Sequence, residues 1–273
     1  MTNYLQPIPV SVVIPCFNSE LTIERAINSV LNQLALPKEI IIVDDCSTDN
    51  TKQVLDKIQL LNPEKLKIIV LERNIGVASA RNIGWDVASQ LYIAFLDADD
   101  SWHSEKLKIQ YNYMLNNPEI SLCGTKCSIF SNENKSHPNN SSKLRIKKIT
   151  ALNMLFKNPF NTPTVMIKRN IALRFRDNQR FAEDILLWQQ IAFSGFNVAR
   201  IEEFLAYVYK PFYGKSGLSD NLFEMEKFEL NNFIKLYKEG HFNILILMIA
   251  VIFSVLKFLK RLFFSSVKRF FEG

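Results

Sequence analysis

A short apolar run that ends in carboxylates constrains the fold of this chain more than any other feature. Tyr92 to Leu96 is apolar, and Asp97, Asp99 and Asp100 follow it almost at once. A run of this length followed by polar residues is typical of a strand buried on both faces of a parallel sheet. Ligands bind just past the carboxyl ends of the strands in open α/β sheets. We therefore expect these carboxylates to lie in a ligand site.

The chemistry of these acids indicates a divalent cation. Carboxylates are hard oxygen ligands that suit Mg²⁺ or Mn²⁺, and a metal at Asp97 and Asp99 would neutralise phosphate oxygens of a leaving group. The alternative is an acidic turn that caps the helix predicted to begin near Ser104. The chain has no Gly-x-Gly-x-x-Gly and no Walker lysine loop, so a bound diphosphate would depend on the metal.

A second strand of the first half also ends in acids. The β-branched run Val10–Ile14 predicts the first strand, which we expect Pro15 to end and Ser19 to follow as the cap of an amphipathic helix. Glu39–Val43 predicts the second strand, and Asp44 stands at its end in the sequence DDCSTDN. A helix cap also accounts for such acids, but two acidic strand ends at βαβ spacing favour a binding site.

The rest of the chain predicts further alternation of strands and helices, with a polar loop at 131–143. The helix after Gly76 carries Arg81, which could pair with a carboxylate or a phosphate. The predicted strands are Leu66–Leu71, Ile120–Phe130, Pro163–Lys168, Phe196–Ile201 and Phe204–Tyr209. The predicted helices are Ser104–Leu115, Ala151–Phe156, the segment from Phe181 to Phe193, and Leu222–Lys238.

Composition narrows the class of protein. The 273 residues are 48% apolar, which suits one large α/β domain with or without an appendage. The net charge is +6, but residues 257–273 carry +4 of it, so the remainder calls for no nucleic acid. Four cysteines without a Cys-x-x-Cys, and three histidines, do not make a zinc site. With no signal sequence in MTNYLQPIPV, we expect a reducing, cytosolic catalytic domain.

The C-terminal segment has a different composition. Ile244 to Leu256 carries no charge but is shorter than the roughly 20 residues of a transmembrane helix. Basic and aromatic residues alternate after it, which is typical of an interfacial helix on anionic lipid. A helix buried on the domain, a homodimer contact, and one re-entrant or snorkelling span are the alternatives.

Four motifs taken together resemble the family 2 glycosyltransferases, which have the GT-A fold. They are VSVVIPCFN, IIIVDDCSTDNT, RNIGVASARN and IAFLDADD, and they cover about the first 110 residues. The resemblance implies an α/β, Rossmann-type, mostly parallel sheet flanked by helices. It implies a domain at 1–220, with a nucleotide-sugar half (1–115) and an acceptor half (116–220). C-terminal helices at 221–273 would then include a membrane-associating tail at 242–273.

The resemblance also implies the roles of individual residues in transfer from a nucleotide-sugar donor, commonly a UDP-sugar. Asp97 and Asp99 form the DxD motif, which handles the ribose and an Mn²⁺ or Mg²⁺ ion on the diphosphate. Glu183 and Asp184 correspond to the acceptor-side acids, with Asp184 as the general base. The implied nucleotide-sugar-binding residues are Pro15, Asn18, Asp44, Asn74, Arg81, Asp97 and Ala98, with Asp44 near the base.

We expect transfer of one sugar, because the Gln-x-x-Arg-Trp signature of processive synthases is absent. We expect inversion, because direct displacement by the acceptor hydroxyl occurs on one face of the sugar. The expected acceptor is a hydroxyl of a lipid-linked or surface glycan. The expected location is the cytoplasmic face of the inner (plasma) membrane, with peripheral attachment or a single C-terminal span. The alternatives are transfer to polyprenyl phosphate and an inactive, membrane-bound sugar-nucleotide binding protein.

Overall fold

The computed structural model describes residues 6–130, 144–209 and 221–272, with side chains up to residue 263. The described strands are β1 (Ile8–Cys16), β2 (Pro37–Asp44), β3 (Leu66–Val70), β4 (Tyr92–Phe95), β5 (Ser101–Trp102), β6 (Ile120–Ile129), β7 (Ile146–Ile149), β8 (Met166–Lys168) and β9 (Asn197–Val208). The described helices are α1 (Ile23–Leu31), α2 (Thr51–Leu61), α3 (Val77–Val87), α4 (Lys106–Asn116), α5 (Ala151–Phe156), α6 (Glu183–Phe193), α7 (Leu222–Lys238) and α8 (Ile244–Glu272).

One sheet unites all of these strands in the order β3-β2-β1-β4-β8-β6-β9-β5, with β7 also paired to β9. The first four strands are mutually parallel, as predicted for the nucleotide-sugar half. Strand β8 runs antiparallel to β4 and β6, and β9 pairs parallel with β6. The carboxyl ends of β1, β2 and β4 therefore meet at one edge of the sheet, where ligands bind in such folds.

Helices cover both faces of the sheet, which explains the continuous apolar runs of its central strands. Val12 points into one core layer with helices α1, α2 and α4. Val13 points into the other, with α3 and α6. Helix α3 lies close to β1, since a Cβ on Gly84 would come within 2.4 Å of the Val13 side chain. The small residue at this position therefore allows α3 to pack closely against the sheet.

Two local predictions in the first half were wrong. Strand β1 does not end at Pro15 but continues to Cys16, because β2 stays paired with it beyond the last β4 contact at Val13. Ser19 is not the N-cap of α1, which is Thr22. The Ser19 carbonyl instead accepts hydrogen bonds from the Thr22 and Ile23 N–H groups in a turn.

The predictions in the second half were less accurate. The segment predicted as strand Pro163–Lys168 begins as a 3₁₀ turn at Thr162–Thr164, and only Met166–Lys168 is extended. The two strands predicted at Phe196–Ile201 and Phe204–Tyr209 are one strand, β9. Glu202 does not interrupt that strand, because its carboxylate pairs with Lys126 and Arg200 on the sheet. The segment 131–143 and the predicted domain boundary at 220 lie outside the described residues.

The C-terminal helices pack on the domain. Phe242 and Ala250 are buried with residues of α5, α6 and α7. Ion pairs of 2.8 Å (Lys257–Glu229) and 2.9 Å (Arg261–Glu226) fasten α8 to α7. The opposite side of α8 is apolar and exposed, including Leu245, Ile252, Leu256 and Phe263. Within the described part of the chain, no helix has the length and apolarity to cross a membrane.

Candidate active site

A cleft of about 860 Å³ opens at the carboxyl ends of β1 and β4. It is bordered by the loop after β2, the start of α3 and the loop that leads into α6. Eight of the predicted site residues line it: Pro15, Asn18, Asn74, Arg81, Asp97, Ala98, Asp99 and Glu183. Asp44 and Asp184 are not among the residues that line it, and the carboxylate of each accepts hydrogen bonds from neighbouring residues.

Two consecutive acids, Asp44 at the end of β2 and Asp45 just after it, make different contacts. Asp44 is buried, and one of its carboxylate oxygens accepts hydrogen bonds from the N–H and hydroxyl of Ser47. Asp45 lines the cleft and accepts hydrogen bonds of 2.8 Å from the N–H groups of Ile75 and Gly76. Asp45 therefore fixes the loop before α3, while the contact of Asp44 with a nucleotide base stays a prediction.

Asn18 connects the loops that follow β1 and β2. Its backbone adopts a left-handed conformation, with φ of 48°, which Asn tolerates better than most residues. Its side-chain oxygen accepts a hydrogen bond of 2.8 Å from the Thr48 N–H, and its own N–H donates to Ser47 Oγ. Asn18 therefore holds one wall of the cleft in place as well as facing it.

Arg81 joins the two sides of the cleft. It is buried, and its guanidinium donates at 2.7 Å to Asp97 and at 2.8 Å to Glu183. Burial opposes a charged guanidinium, but the two carboxylates raise the pKa of Arg81 above its usual value. The ion pairs keep Asp97, which follows β4, and Glu183, at the start of α6, at fixed positions on one cation.

The two acids at the start of α6 have different surroundings. The carboxylate of Asp184 accepts hydrogen bonds from the Thr162 hydroxyl at 2.9 Å and from the Ile185 N–H at 2.7 Å. Both of these donors are neutral. Burial raises the pKa of Asp184, and the charge of Asp97 adds to this, while the charge of Arg81 and the two hydrogen bonds oppose it. Burial and the charge of Asp184 raise the pKa of Glu183 to about 7, although Arg81 opposes this. Glu183 is thus paired with a cation, whereas the hydrogen-bond donors to Asp184 are neutral. The role of Asp184 as the general base stays a prediction.

Asp97 and Asp99 are suited to a divalent cation. Both line the cleft, whereas Asp100 is buried, and burial with the charges of Asp97 and Asp99 raises its pKa to about 8. Among the described residues, no group of three or more His, Cys, Asp and Glu side chains is placed to hold a metal. Mg²⁺ is commonly held by one or two carboxylates together with substrate phosphates, so two aspartates fit a metal that a diphosphate completes.

Several cleft residues were not singled out from the sequence, and one group of them lies far from the four motifs. Asn178, Gln179 and Arg180 line the cleft from the loop that precedes α6. They belong to no motif, and only the packing of this loop beside α3 brings them to the site. The sequence did contain a signal for Asp45. Adjacent residues at the end of a strand point in opposite directions, so the two consecutive acids Asp44 and Asp45 cannot both face the same side.

Comparison with known proteins identifies the family to which this chain belongs. Residues 11–175, more than half of the chain, match the model of Glycosyl transferase family 2. The chain is 34% identical over 192 residues to the Escherichia coli UDP-Glc:alpha-D-GlcNAc-diphosphoundecaprenol beta-1,3-glucosyltransferase WfgD, covering 70% of this chain and 71% of that protein. It is 43% identical over 115 residues to the putative teichuronic acid biosynthesis glycosyltransferase TuaG of Bacillus subtilis, covering 42% of this chain and 44% of that protein.

Solved structures share the fold. The S. aureus TarS 1–349 structure in complex with UDP-GlcNAc aligns with a TM-score of 0.66 at 22% identity, over 84% of this chain and 66% of that one. The mannosyltransferase PcManGT of Pyrobaculum calidifontis, in complex with GDP-Man and Mn²⁺, aligns with a TM-score of 0.67 at 18% identity, over 86% and 66%. The chain thus spans about two thirds or less of the length of several proteins that it matches. Its fold is of the GT-A type, and the chain belongs to glycosyl transferase family 2.

Proposed function

We propose that this protein is an inverting, non-processive glycosyltransferase. It transfers one sugar from a nucleotide-sugar, a UDP-sugar, to a hydroxyl of a lipid-linked or surface glycan. The observation that carries this proposal is the arrangement around Arg81, which holds Asp97 and Glu183 close together in one cleft. A donor with its diphosphate at the aspartates and an acceptor at Glu183–Asp184 would meet in that cleft. The names of WfgD and the TarS complex, which contain UDP-Glc and UDP-GlcNAc, support a UDP-sugar.

The donor side consists of residues from the strand ends. Asp97 and Asp99 would hold Mn²⁺ or Mg²⁺, which supplies positive charge for the departing nucleoside diphosphate when it is bound. Asp44 would hydrogen-bond the base, with Pro15, Asn18, Asn74 and Ala98 around the nucleotide. The PcManGT complex with Mn²⁺ supports the choice of metal.

The acceptor side consists of the start of α6. Asp184 takes the proton of the acceptor hydroxyl as that oxygen attacks the anomeric carbon. Glu183 stays paired with Arg81 and orients the acid cluster. A single displacement on one face of the sugar gives a product of inverted anomeric configuration.

The exposed side of α8 supports peripheral attachment of the tail (242–273) to the cytoplasmic face of the membrane. Lys257 and Arg261 pair with acids of α7, so the apolar residues on the exposed side contribute more to lipid binding than these two cations do. Burying a Leu or Ile side chain stabilises by about 1.5–3 kcal/mol. Residues such as Ile252 and Leu256 would therefore anchor α8 in the interface.

The experiment that tests the function is transfer by the full chain. UDP-sugars are supplied with a short-chain, diphosphate-linked acceptor, and the product is examined by mass spectrometry and NMR. We expect one added sugar and inverted configuration. Several added sugars or retained configuration would contradict the proposed mechanism. Transfer to polyprenyl phosphate would favour that alternative acceptor, and neither transfer nor donor hydrolysis would favour an inactive binding protein.

A further inference from the structure

A second pocket, of about 750 Å³, lies beside the cleft. One of its walls is the loop 176–179, and the other is the face of α7 that carries Lys235 and Lys238. Asn178 and Gln179 line both this pocket and the cleft. A molecule bound in the pocket therefore reaches the wall of the cleft that continues to Glu183. We call it the basic pocket.

Buried amides fix the shape of the basic pocket. Gln179 donates hydrogen bonds to the Phe181 carbonyl at 2.9 Å and to the Asn232 side-chain oxygen at 3.0 Å. Asn232, which is on α7, donates in turn to the Ala182 carbonyl at 2.9 Å. Gln179 and Asn232 are both buried. The loop before α6 is therefore pinned to α7, so the pocket and the catalytic acids belong to one rigid unit.

The charged residues of the basic pocket favour an anion. Three cations line it: Arg176, Lys235 and Lys238. Arginine and lysine are the side chains that bind phosphate groups in proteins, arginine through paired hydrogen bonds and lysine as a point charge. Lys235 and Lys238 lie in the last turn of α7, next to the turn into α8.

The two acids of the pocket are occupied by neighbouring residues. Asp177 accepts hydrogen bonds from Ser79 Oγ at 2.8 Å and from Asn82 Nδ2 at 3.3 Å, both on α3. Glu239 accepts a pair of 3.0 Å hydrogen bonds from Gln190 and pairs with Lys235. Asp177 is thus held towards α3, and Glu239 compensates the charge of Lys235. Binding of an anion therefore depends on the other two cations of the lining, Arg176 and Lys238.

We propose that the basic pocket binds the phosphate or diphosphate group of the acceptor. This inference rests on the proposed function, and it assigns one end of the acceptor to Arg176 and Lys238 and the other to Asp184. The pocket shares a wall with the cleft, so a sugar between the two would place its hydroxyl at the acids. The lipid chain of such an acceptor would leave at the turn between α7 and α8, where α8 begins with the exposed residues Ile244 and Leu245.

The test is equilibrium binding of inorganic pyrophosphate to the full chain by calorimetry, in EDTA, so that binding through metal at the donor aspartates is removed. We expect at least a tenfold loss of affinity in Arg176→Gln/Lys238→Gln, because each charged hydrogen bond contributes about tenfold or more. Lys57→Gln is the matched control. It removes an exposed lysine of α2 and leaves the affinity unchanged.

A second measurement separates the acceptor phosphate from a lipid headgroup. In the double variant, the KM for a short-chain, diphosphate-linked sugar rises at least tenfold, while the KM for the octyl glycoside of the same sugar stays constant. Equal pyrophosphate affinity in the wild type and the double variant overturns the proposal. So does a variant that loses only its binding to phosphatidylglycerol vesicles. An enzyme that binds pyrophosphate in this pocket but transfers no sugar refutes the proposed function, not the anion site.

Discussion

Replacing Asp184 with Asn removes the proposed general base without changing the shape of the side chain. The amide oxygen can accept the Ile185 N–H bond that Asp184 accepts at 2.7 Å, and the amide nitrogen can donate to Thr162 Oγ, which then acts as acceptor. The Thr162 hydroxyl proton loses its acceptor in this arrangement, so we expect the free energy of unfolding to fall by about 1 kcal/mol. Loss of a general base lowers the rate by about 10²–10⁴, or roughly 3–5 kcal/mol of barrier.

The assay is turnover at saturating donor, with donor affinity from calorimetry and stability from urea denaturation. We expect turnover of Asp184→Asn to fall by that factor with donor affinity retained. Glu183→Gln is the comparison. It weakens one ion pair of Arg81, so we expect it to lower stability by about 1–3 kcal/mol and turnover by less than Asp184→Asn does. Near-normal turnover in Asp184→Asn with collapse in Glu183→Gln would reverse the two roles. Lost donor affinity in Asp184→Asn would place the acid on the donor side.

Three further predictions concern the tail, the cleft wall and pH. Ile252→Glu/Leu256→Glu on the exposed face of α8 should weaken cosedimentation with anionic vesicles at least tenfold. Leu60→Glu, at an exposed leucine of α2, should not, and equal loss in both variants would refute an α8 anchor. Asp45→Ala removes the carboxylate that accepts hydrogen bonds from two N–H groups at the start of α3. It should lower the free energy of unfolding in urea by about 1.5–3 kcal/mol and weaken UDP binding. An unchanged urea midpoint would refute this role. Burial lowers the pKa of Lys106 to about 7, so between pH 7 and about 10 the unfolded chain binds a proton there that the folded chain does not. This group should therefore raise the free energy of unfolding by up to about 1.4 kcal/mol per pH unit in that range, and Lys106→Met should lose this contribution. The same pH dependence in both proteins would contradict the assignment of the slope to Lys106.

The donor side of the site could be predicted because its signals are local. Each apolar strand is followed directly by the polar residues that it positions, as Leu96 is followed by Asp97. Parallel pairing then brings these strand ends together without any further information. Helices α5 and α7 were also predicted with their observed bounds, since their patterns are uninterrupted.

The acceptor side depends on contacts between distant segments, which sequence patterns do not encode. Arg81 meets Glu183 across 102 positions of the chain, and Arg176 comes beside Lys238 only because α7 folds back over the loop before α6. The charge pattern of α8 predicts an interfacial helix, with a helix buried on the domain as an alternative, and Lys257 and Arg261 in fact pair with α7. Amphipathicity alone predicts that the apolar side of a helix faces the protein, whereas α8 leaves an apolar side exposed.

The most direct test of the account is release of nucleoside diphosphate from a panel of nucleotide-sugars by the full chain. The account predicts slow release from at least one donor, a UDP-sugar, in Mn²⁺ or Mg²⁺. EDTA should abolish that release, excess metal should restore it, and Asp99→Ala should lack it while remaining folded. Undiminished release in EDTA or in Asp99→Ala would contradict a metal site at Asp97 and Asp99. The absence of release and of calorimetric binding for every nucleotide-sugar would contradict the donor cleft itself.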